Sequence, residues 1–459
     1  MAINRKKNSR NGRKRPGRKQ SDFITAVVAN RDGQIFELEG YAAVGMRGPK
    51  PFTLLRKDTP PMPDGGELMM LPERMPLLYD PKTNSIEAIS HNPYDPEEEI
   101  YPVAAFNSPG YVVTHVSGYE ETPGATALPL FSYGAVGWAD GGFRTAVTLV
   151  DSEPRQDLQL MPTEKVKAGV KQMALLMPEN RLRRHLENCA LNYGCPAGKN
   201  FFLGRFEAPL PTSRSCNARC LGCISLQEPS EISCCQERIA FTPTPEEISQ
   251  IALTHIGRVE KSVVSFGQGC EGDPLLAAEV IAPAIAIIRK TTQAGTINMN
   301  TNGSLPKQLE KLFDAGLDSI RVSINSVRKP CYEAYFRPTG YAFEDVLESI
   351  DLAGKMKKHV AINYLNCPGI TDTPEEFEAL VRFLERHPVD FIQWRNLNFD
   401  PLRYFVAMRL IADQGAPMGV DTIIQQLKKK FPKLAHGYFN PPKEHFRLAG
   451  QTETVRTQI

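Results

Sequence analysis

Residues 206–400 predict an α/β domain of parallel strands, and three observations predict it. Six apolar strand-like runs recur there, at 206–212, 262–267, 296–301, 319–325, 360–366 and 391–397. Amphipathic patterns of helix period separate them, near 275–292, 306–315 and 343–357. Two further helices are announced by start signals, Thr244-Pro245-Glu246-Glu247 and Thr373-Pro374-Glu375-Glu376, each an N-cap followed by Pro and acids in the first turn. Repeated strand–helix alternation implies parallel strands with right-handed crossovers. Spacing alone leaves open a doubly wound sheet, a full barrel and a partial barrel. In each of them, chemistry belongs at the carboxyl ends of the strands.

The flanks differ in character. Residues 21–160 read as a β-rich, Pro/Gly-rich domain, with short strand-like runs at 24–29, 111–116 and 145–150. Positions 41–130 hold 14 prolines, which is incompatible with long helices. Residues 161–205 read as a helical connector carrying Cys189 and Cys195, with Val166, Val170, Met173, Ala174 and Met177 at helix spacing. Residues 401–459 form a short C-terminal extension with one amphipathic helix near 420–431.

Composition is that of a globular protein, 41% hydrophobic and 23% charged in 459 residues. No stretch approaches the roughly 20 apolar residues that span a bilayer. The basic N-terminus lacks a following apolar segment, so secretion is not expected and a cytoplasmic location is. Residues 1–20 contain nine Lys or Arg and no acid, leaving 45 basic against 52 acidic groups in the remainder. Such a tail is expected to be disordered, and either to contact RNA or the ribosome or to serve only as a solubilising arm.

Cysteine placement is the strongest chemical signal. Eight of the ten cysteines fall between Cys189 and Cys270, and none lies beyond Cys367. Directly after the first strand stand Cys216, Cys220 and Cys223, a C-x3-C-x2-C loop. Thiolates ligate iron–sulfur clusters and zinc. A closed structural zinc site wants four ligands, whereas three would leave one iron of a cubane open to a small molecule. Unligated thiols remain the plain alternative.

The second strand ends in Gly267-Gln268-Gly269-Cys270-Glu271-Gly272-Asp273-Pro274, which contains G-x-G-x-x-G. A dinucleotide site also wants an acid about 20 residues on. No Asp or Glu occurs between Glu279 and Glu310, which argues against it. Glu271 and Asp273 suit an ammonium group better than a pyrophosphate. Asn300-Thr301-Asn302-Gly303 and Ser323-Ile324-Asn325-Ser326 place small hydrogen-bonding side chains at the next two strand ends.

These motifs, in this order, resemble the radical S-adenosylmethionine (radical SAM) superfamily over residues 206–400. The resemblance rests on Cys216-x3-Cys220-x2-Cys223, on Glu271-Gly272-Asp273-Pro274 at the place of the family's Gly-Gly-Glu-Pro, on Thr301-Asn302-Gly303 and on Arg321-Val322-Ser323-Ile324-Asn325. It implies a partial (βα)6 TIM-like barrel, in accord with the six strands. It implies that Cys216, Cys220 and Cys223 hold a [4Fe–4S] cluster whose fourth iron takes the methionyl amine and carboxylate of S-adenosylmethionine. Gly269, Glu271, Gly272 and Asp273 would contact that amine; Asn302, Ser323 and Asn325 would line the cofactor. Reduction, by an electron donor of flavodoxin or ferredoxin type, would cleave the sulfonium and give a 5′-deoxyadenosyl radical. Gln393, Arg395 and Asn398, alternating along the sixth strand, would approach cofactor or substrate.

Two departures stand out: Gly222 replaces the aromatic residue often found before the third cysteine, and Glu271 and Asp273 occupy positions usually Gly and Glu. The cysteine-rich C-terminal extension of many members is absent. Cys189, Cys195, Cys234 and Cys235 are candidates for a second metal, and Cys270 for a substrate-facing thiol. Two other classes compete with this reading, a zinc-binding interaction module and a nucleotide-binding oxidoreductase. The substrate and the catalytic residues acting on it are not written in the motifs.

Overall fold

The computed structural model describes residues 22–154, 157–227, 232–409 and 415–446. The basic run 1–20, with the RNA contact expected of it, lies outside these residues. Seven strands form one parallel sheet in sequence order: Glu207–Pro209, Val263–Phe266, Thr296–Thr301, Ser319–Ile324, His359–Asn366, Phe391–Asn396 and Ala435–Gly437. The sheet thus has one strand more than the six expected. The extra strand, Ala435–Gly437, comes from the C-terminal extension. The first strand is shorter than expected because Pro209 and Pro211 have no N–H for the ladder.

Alternation within the strands divides the sheet into two faces. Ile297, Met299, Ile320, Val322, Ile362 and Ile392 are fully buried. They share one core with helix residues such as Ile251, Ile285, Leu309, Ile350 and Leu380. Most intervening residues on the other face are polar, among them Ser265, Asn298, Asn300, Arg321, Ser323, Asn363, Gln393 and Arg395, with Ala361, Leu365 and Phe391 as apolar members. In the ladder Ser323, Asn363 and Gln393 stand side by side. The Arg321 side chain nevertheless skips a strand to reach Gln393 Oε1 at 2.6 Å, as a curved sheet with a concave polar face allows. Asn440, just after the seventh strand, donates to Glu207 on the first at 2.7 Å, and so bridges the two sheet edges.

The N-terminal residues form a twelve-stranded antiparallel sheet between Thr25 and Thr145. A separate two-stranded ribbon, Tyr111–Val113 paired with Val147–Leu149, docks at the carboxyl ends of the fifth and sixth barrel strands. Asn366 Nδ2 donates to Val113 O at 2.7 Å, and Asn396 Oδ1 accepts from Val113 N at 2.8 Å. A buried ion pair, Arg74 with Asp400 at 3.2 Å, completes the junction. Helices Thr163–Leu176, Arg181–Leu191 and Pro196–Leu203 connect the two parts. Among the described residues, no helix is long and apolar enough to cross a membrane.

Candidate cofactor site at the carboxyl end of the barrel

The cysteine loop is held from three sides. From below, the turn 267–273 presses against it: Gly272 N donates to Ser213 O at 2.7 Å and Asp273 N to Ser215 O at 2.9 Å. A Cβ on Gly272 would sit 1.9 Å from Ser215 O, so only glycine permits this approach. From the side, helix Lys329–Phe336 offers its last carbonyls, Phe336 O to Arg219 N at 2.8 Å and Tyr335 O to Leu221 N at 3.0 Å. From above, Asn398 Nδ2 donates to Gly222 O at 2.9 Å. The expected aromatic residue before Cys223 is absent, and the Tyr335 hydroxyl lies 3.0 Å from where a Gly222 Cβ would stand. Tyr335 therefore fills that space from another element.

Burial raises the Cys216 thiol to about 11, and the Asp273 carboxylate adds to the shift. Cys220 is raised as well, by burial first and then by its neighbours Cys216 and Cys223. Arg238 faces Cys223 Sγ at 3.7 Å. Motif reading had not singled out Arg238 or Asn217; the latter joins Asn302 at 2.8 Å and Ser304 at 2.9 Å. Neither residue belongs to a spacing pattern, so only the folded loop reveals them.

The two acids of the turn prove to be clamps. Glu271 accepts from the amides of Thr212, Ser213, Gly267 and Gln268 at 2.6–2.9 Å. Burial raises its carboxyl to about 7, although the four N–H donors oppose the shift. Asp273 accepts from Thr301 Oγ1, Asn302 N and Leu275 N at 2.6–3.1 Å, and burial raises it to about 6. Both carboxylates are thus hydrogen-bonded within the protein and tie the turn to its neighbours. Asn325 is likewise turned inward, its Nδ2 donating to Cys331 O and Tyr404 Oη at 3.0 and 3.2 Å. Ser323 and Arg395 face the concave side, as expected. Gly269 stands against Ile224 and Gln236, beside the loop.

The same contacts dispose of a dinucleotide site. Gly267 (φ +77°) is required because a Cβ would lie 1.7 Å from Asn300 O, and Gly272 by its contact with Ser215. A pyrophosphate would need the N-terminus of the following helix. Here the Asp273 carboxylate already caps it, accepting from Leu275 N.

The concave face carries two arginines. Arg321 bonds Gln393 and Asn440, and burial together with the nearby Arg395 lowers it to about 9. Arg395 stacks 4.0 Å over the Tyr438 ring and reaches Gln393 Oε1 at 3.3 Å. Arg321 Nε and Asn363 Oδ1 are buried without a hydrogen-bond partner. A cleft of about 720 Å³ also follows the outside of the loop at Ser213–Ser215, but the three loop thiols do not line it.

Spacing of the thiols distinguishes between metals. Among the described residues, one trio of metal-ligating side chains has donor atoms all within 4.8 Å, and it is His185, Cys189 and Cys270. The sulfurs of Cys216, Cys220 and Cys223 therefore stand wider apart. Two sulfurs on one zinc reach at most about 4.6 Å, twice a bond of ~2.3 Å. Held this way, the three loop thiols are not gathered to the spacing of one zinc ion.

Residues 210–384 match the family model of the radical SAM superfamily. This segment is a radical SAM domain. The cofactors of the superfamily are a [4Fe–4S] cluster and S-adenosylmethionine. Among curated proteins, the radical SAM segment is similar to GTP 3′,8-cyclase of Chlorobaculum tepidum, 23% identical over 234 residues, 49% of this chain and 62% of that protein. It is also similar to GTP 3′,8-cyclase of Staphylococcus haemolyticus, 30% identical over 159 residues, 34% of this chain and 44% of that protein. The chain thus spans less than two thirds of the length of each of these relatives. Among solved structures, methylornithine synthase is similar at 15% identity and a TM-score of 0.35, over 60% of this chain and 75% of that one. That likeness is too loose to inform on substrate.

Proposed function

We propose that this protein binds a [4Fe–4S] cluster through Cys216, Cys220 and Cys223 and uses it to cleave S-adenosylmethionine reductively, acting on an anionic substrate held in the barrel. The observation that carries the reading is a three-thiol loop held at the carboxyl end of a sheet whose concave face bears two arginines. When bound and reduced, the cluster supplies the electron that breaks the sulfonium C–S bond, giving methionine and a 5′-deoxyadenosyl radical that takes a hydrogen atom from substrate.

The chain's own residues have three tasks. The loop clamps formed by Glu271, Asp273 and Gly272 fix the thiols. Gly269, Asn302 and Ser323 would line the S-adenosylmethionine site. Arg321 and Arg395 have few anionic partners on the concave face, Glu207 being one through Asn440, so they attract a carboxylate or phosphate. GTP is the first substrate to assay, because the curated relatives are named for it. The reading needs a low-potential reductant, of flavodoxin or ferredoxin type, and a cytoplasmic setting suits it.

The test is anaerobic reconstitution with iron and sulfide, followed by dithionite and S-adenosylmethionine. Equimolar methionine and 5′-deoxyadenosine are expected, with none from Cys216→Ala. Arg395→Gln should raise KM for the anionic substrate about tenfold and leave substrate-free cleavage intact. A fully loaded cluster that never yields 5′-deoxyadenosine contradicts the reading.

A further inference from the structure

A second group of metal-ligating side chains lies behind the cofactor turn. His185 and Cys189 are four residues apart on helix Arg181–Leu191, so both project from one face. Cys270 arrives from the turn after the second barrel strand. His185 Nε2 and Cys189 Sγ are 3.5 Å apart, and the donor atoms of all three residues lie within 4.8 Å of one another. Cys189 and Cys270 are 2% and 5% exposed. The His185 ring is braced edge-on by Phe241, with centroids 6.4 Å apart.

We propose that His185, Cys189 and Cys270 bind a single divalent ion of the zinc class, separate from the cluster loop. The 3.5 Å between His185 Nε2 and Cys189 Sγ is that of neighbouring ligands on a tetrahedral ion with bonds of about 2.0–2.3 Å, and the Cys270 sulfur lies within 4.8 Å of both. These separations are too short for the corners of an iron–sulfur cube. The charges also agree: two thiolates and a neutral imidazole cancel a divalent ion, so the buried site carries no net charge. Cys195 flanks the trio, its amide donating to Cys189 O at 2.9 Å, but its sulfur is not among the gathered donor atoms. Cys234 and Cys235, expected as possible ligands, are exposed and do not join the trio. The proposed ion ties the connector helix to Cys270, and Cys270 adjoins Glu271, which clamps the cluster loop. Its role is structural: it fixes the floor of the cofactor site. Cys270 is then a ligand and not a substrate-facing thiol.

The experiment uses the full chain, purified without oxygen, with metals counted by mass spectrometry. Wild type is expected to hold about one zinc per chain, and so is Cys216→Ala/Cys220→Ala/Cys223→Ala, which lacks the cluster. Cys189→Ser and Cys270→Ser should lose at least about nine tenths of it. Because those variants disturb buried positions, the wild type is also stripped and loaded with Co2+. A tetrahedral d–d spectrum with thiolate charge-transfer bands, and a melting temperature lowered by stripping, support the site. Zinc below about one tenth per chain after zinc supplementation, zinc lost with the cluster thiols, or a Cys189–Cys270 disulfide in the freshly isolated protein would overturn it.

Discussion

At Gly272 the backbone of Ser215 occupies the place where any side chain would begin, so the turn and the cysteine loop touch main chain to main chain. Glu271 completes the joint by gathering four amides from both segments. Gly272→Ala should therefore leave a folded protein that takes up less than about one fifth of the wild-type iron on reconstitution, because the loop is pushed off its floor. Iron assay beside circular dichroism checks this, and full iron uptake would speak against the role given to the contact. Glu271→Gln replaces an acceptor oxygen with an N–H2 that opposes amide donors. A loss of about 2–4 kcal/mol in denaturant unfolding is expected. Motif spacing made the three thiols legible. It did not reveal that Glu271 and Asp273 hold the turn and the loop together, since that role exists only once the chain folds its own amides around them.

Among the elements, helices Arg181–Leu191 and Pro245–Arg258 are joined by Glu247. Its side chain completes the capping box with Thr244 and reaches Arg181 at 2.7 Å. The Arg181 hydrogen bond, above all, holds the Glu247 carboxyl down at about 2. An unfolded Glu titrates near 4.3, so the folded state favours the ionised form. The stabilisation is thus present above about pH 4.3 and disappears as pH falls through 2. Arg181 is exposed, and screening limits the pair and cap together to about 1 kcal/mol. Glu247→Gln should be less stable by that amount at pH 7, with the gap closing between pH 4 and pH 2. A gap that does not change with pH would contradict the assignment.

The same scale shows what the sequence could and could not reveal. The six principal strands were legible because apolar residues recur in each and helical patterns separate them, two of those helices opening on the caps Thr244 and Thr373. Ala435–Gly437 was not, being three residues long with a single apolar side chain. Helix Lys329–Phe336, which holds the cysteine loop, was also missed, because it is one short element with Pro330 in its first turn. The polar concave face was partly legible: every second residue of Thr-Ile-Asn-Met-Asn-Thr is polar, yet Asn298, Arg321 and Asn440 acquire meaning only when the sheet curves.

For the whole molecule, the β-rich domain and the barrel are fastened at one buried ion pair. Arg74 is 2% exposed and holds Asp400, Glu121 and the carbonyls of Pro72 and Thr126. Asp400 in turn accepts from Leu128 N. Removing Asp400 leaves the buried Arg74 with the partly exposed Glu121 as its remaining acidic partner and frees the Leu128 amide. Asp400→Ala should cost about 3–5 kcal/mol, and Arg74→Met/Asp400→Leu less than Asp400→Ala alone, as measured by urea unfolding. An Asp400→Ala variant as stable as wild type would mean that the two parts are held elsewhere.

The central claim is that three loop thiols carry a cluster with one iron left for S-adenosylmethionine. Electron paramagnetic resonance of the dithionite-reduced, reconstituted protein tests it most directly. About four iron per chain on the loop thiols and a reduced-cluster signal that shifts on adding S-adenosylmethionine are predicted, both lost in Cys216→Ala. A signal indifferent to S-adenosylmethionine, or a colourless protein with zinc on those thiols, would contradict it.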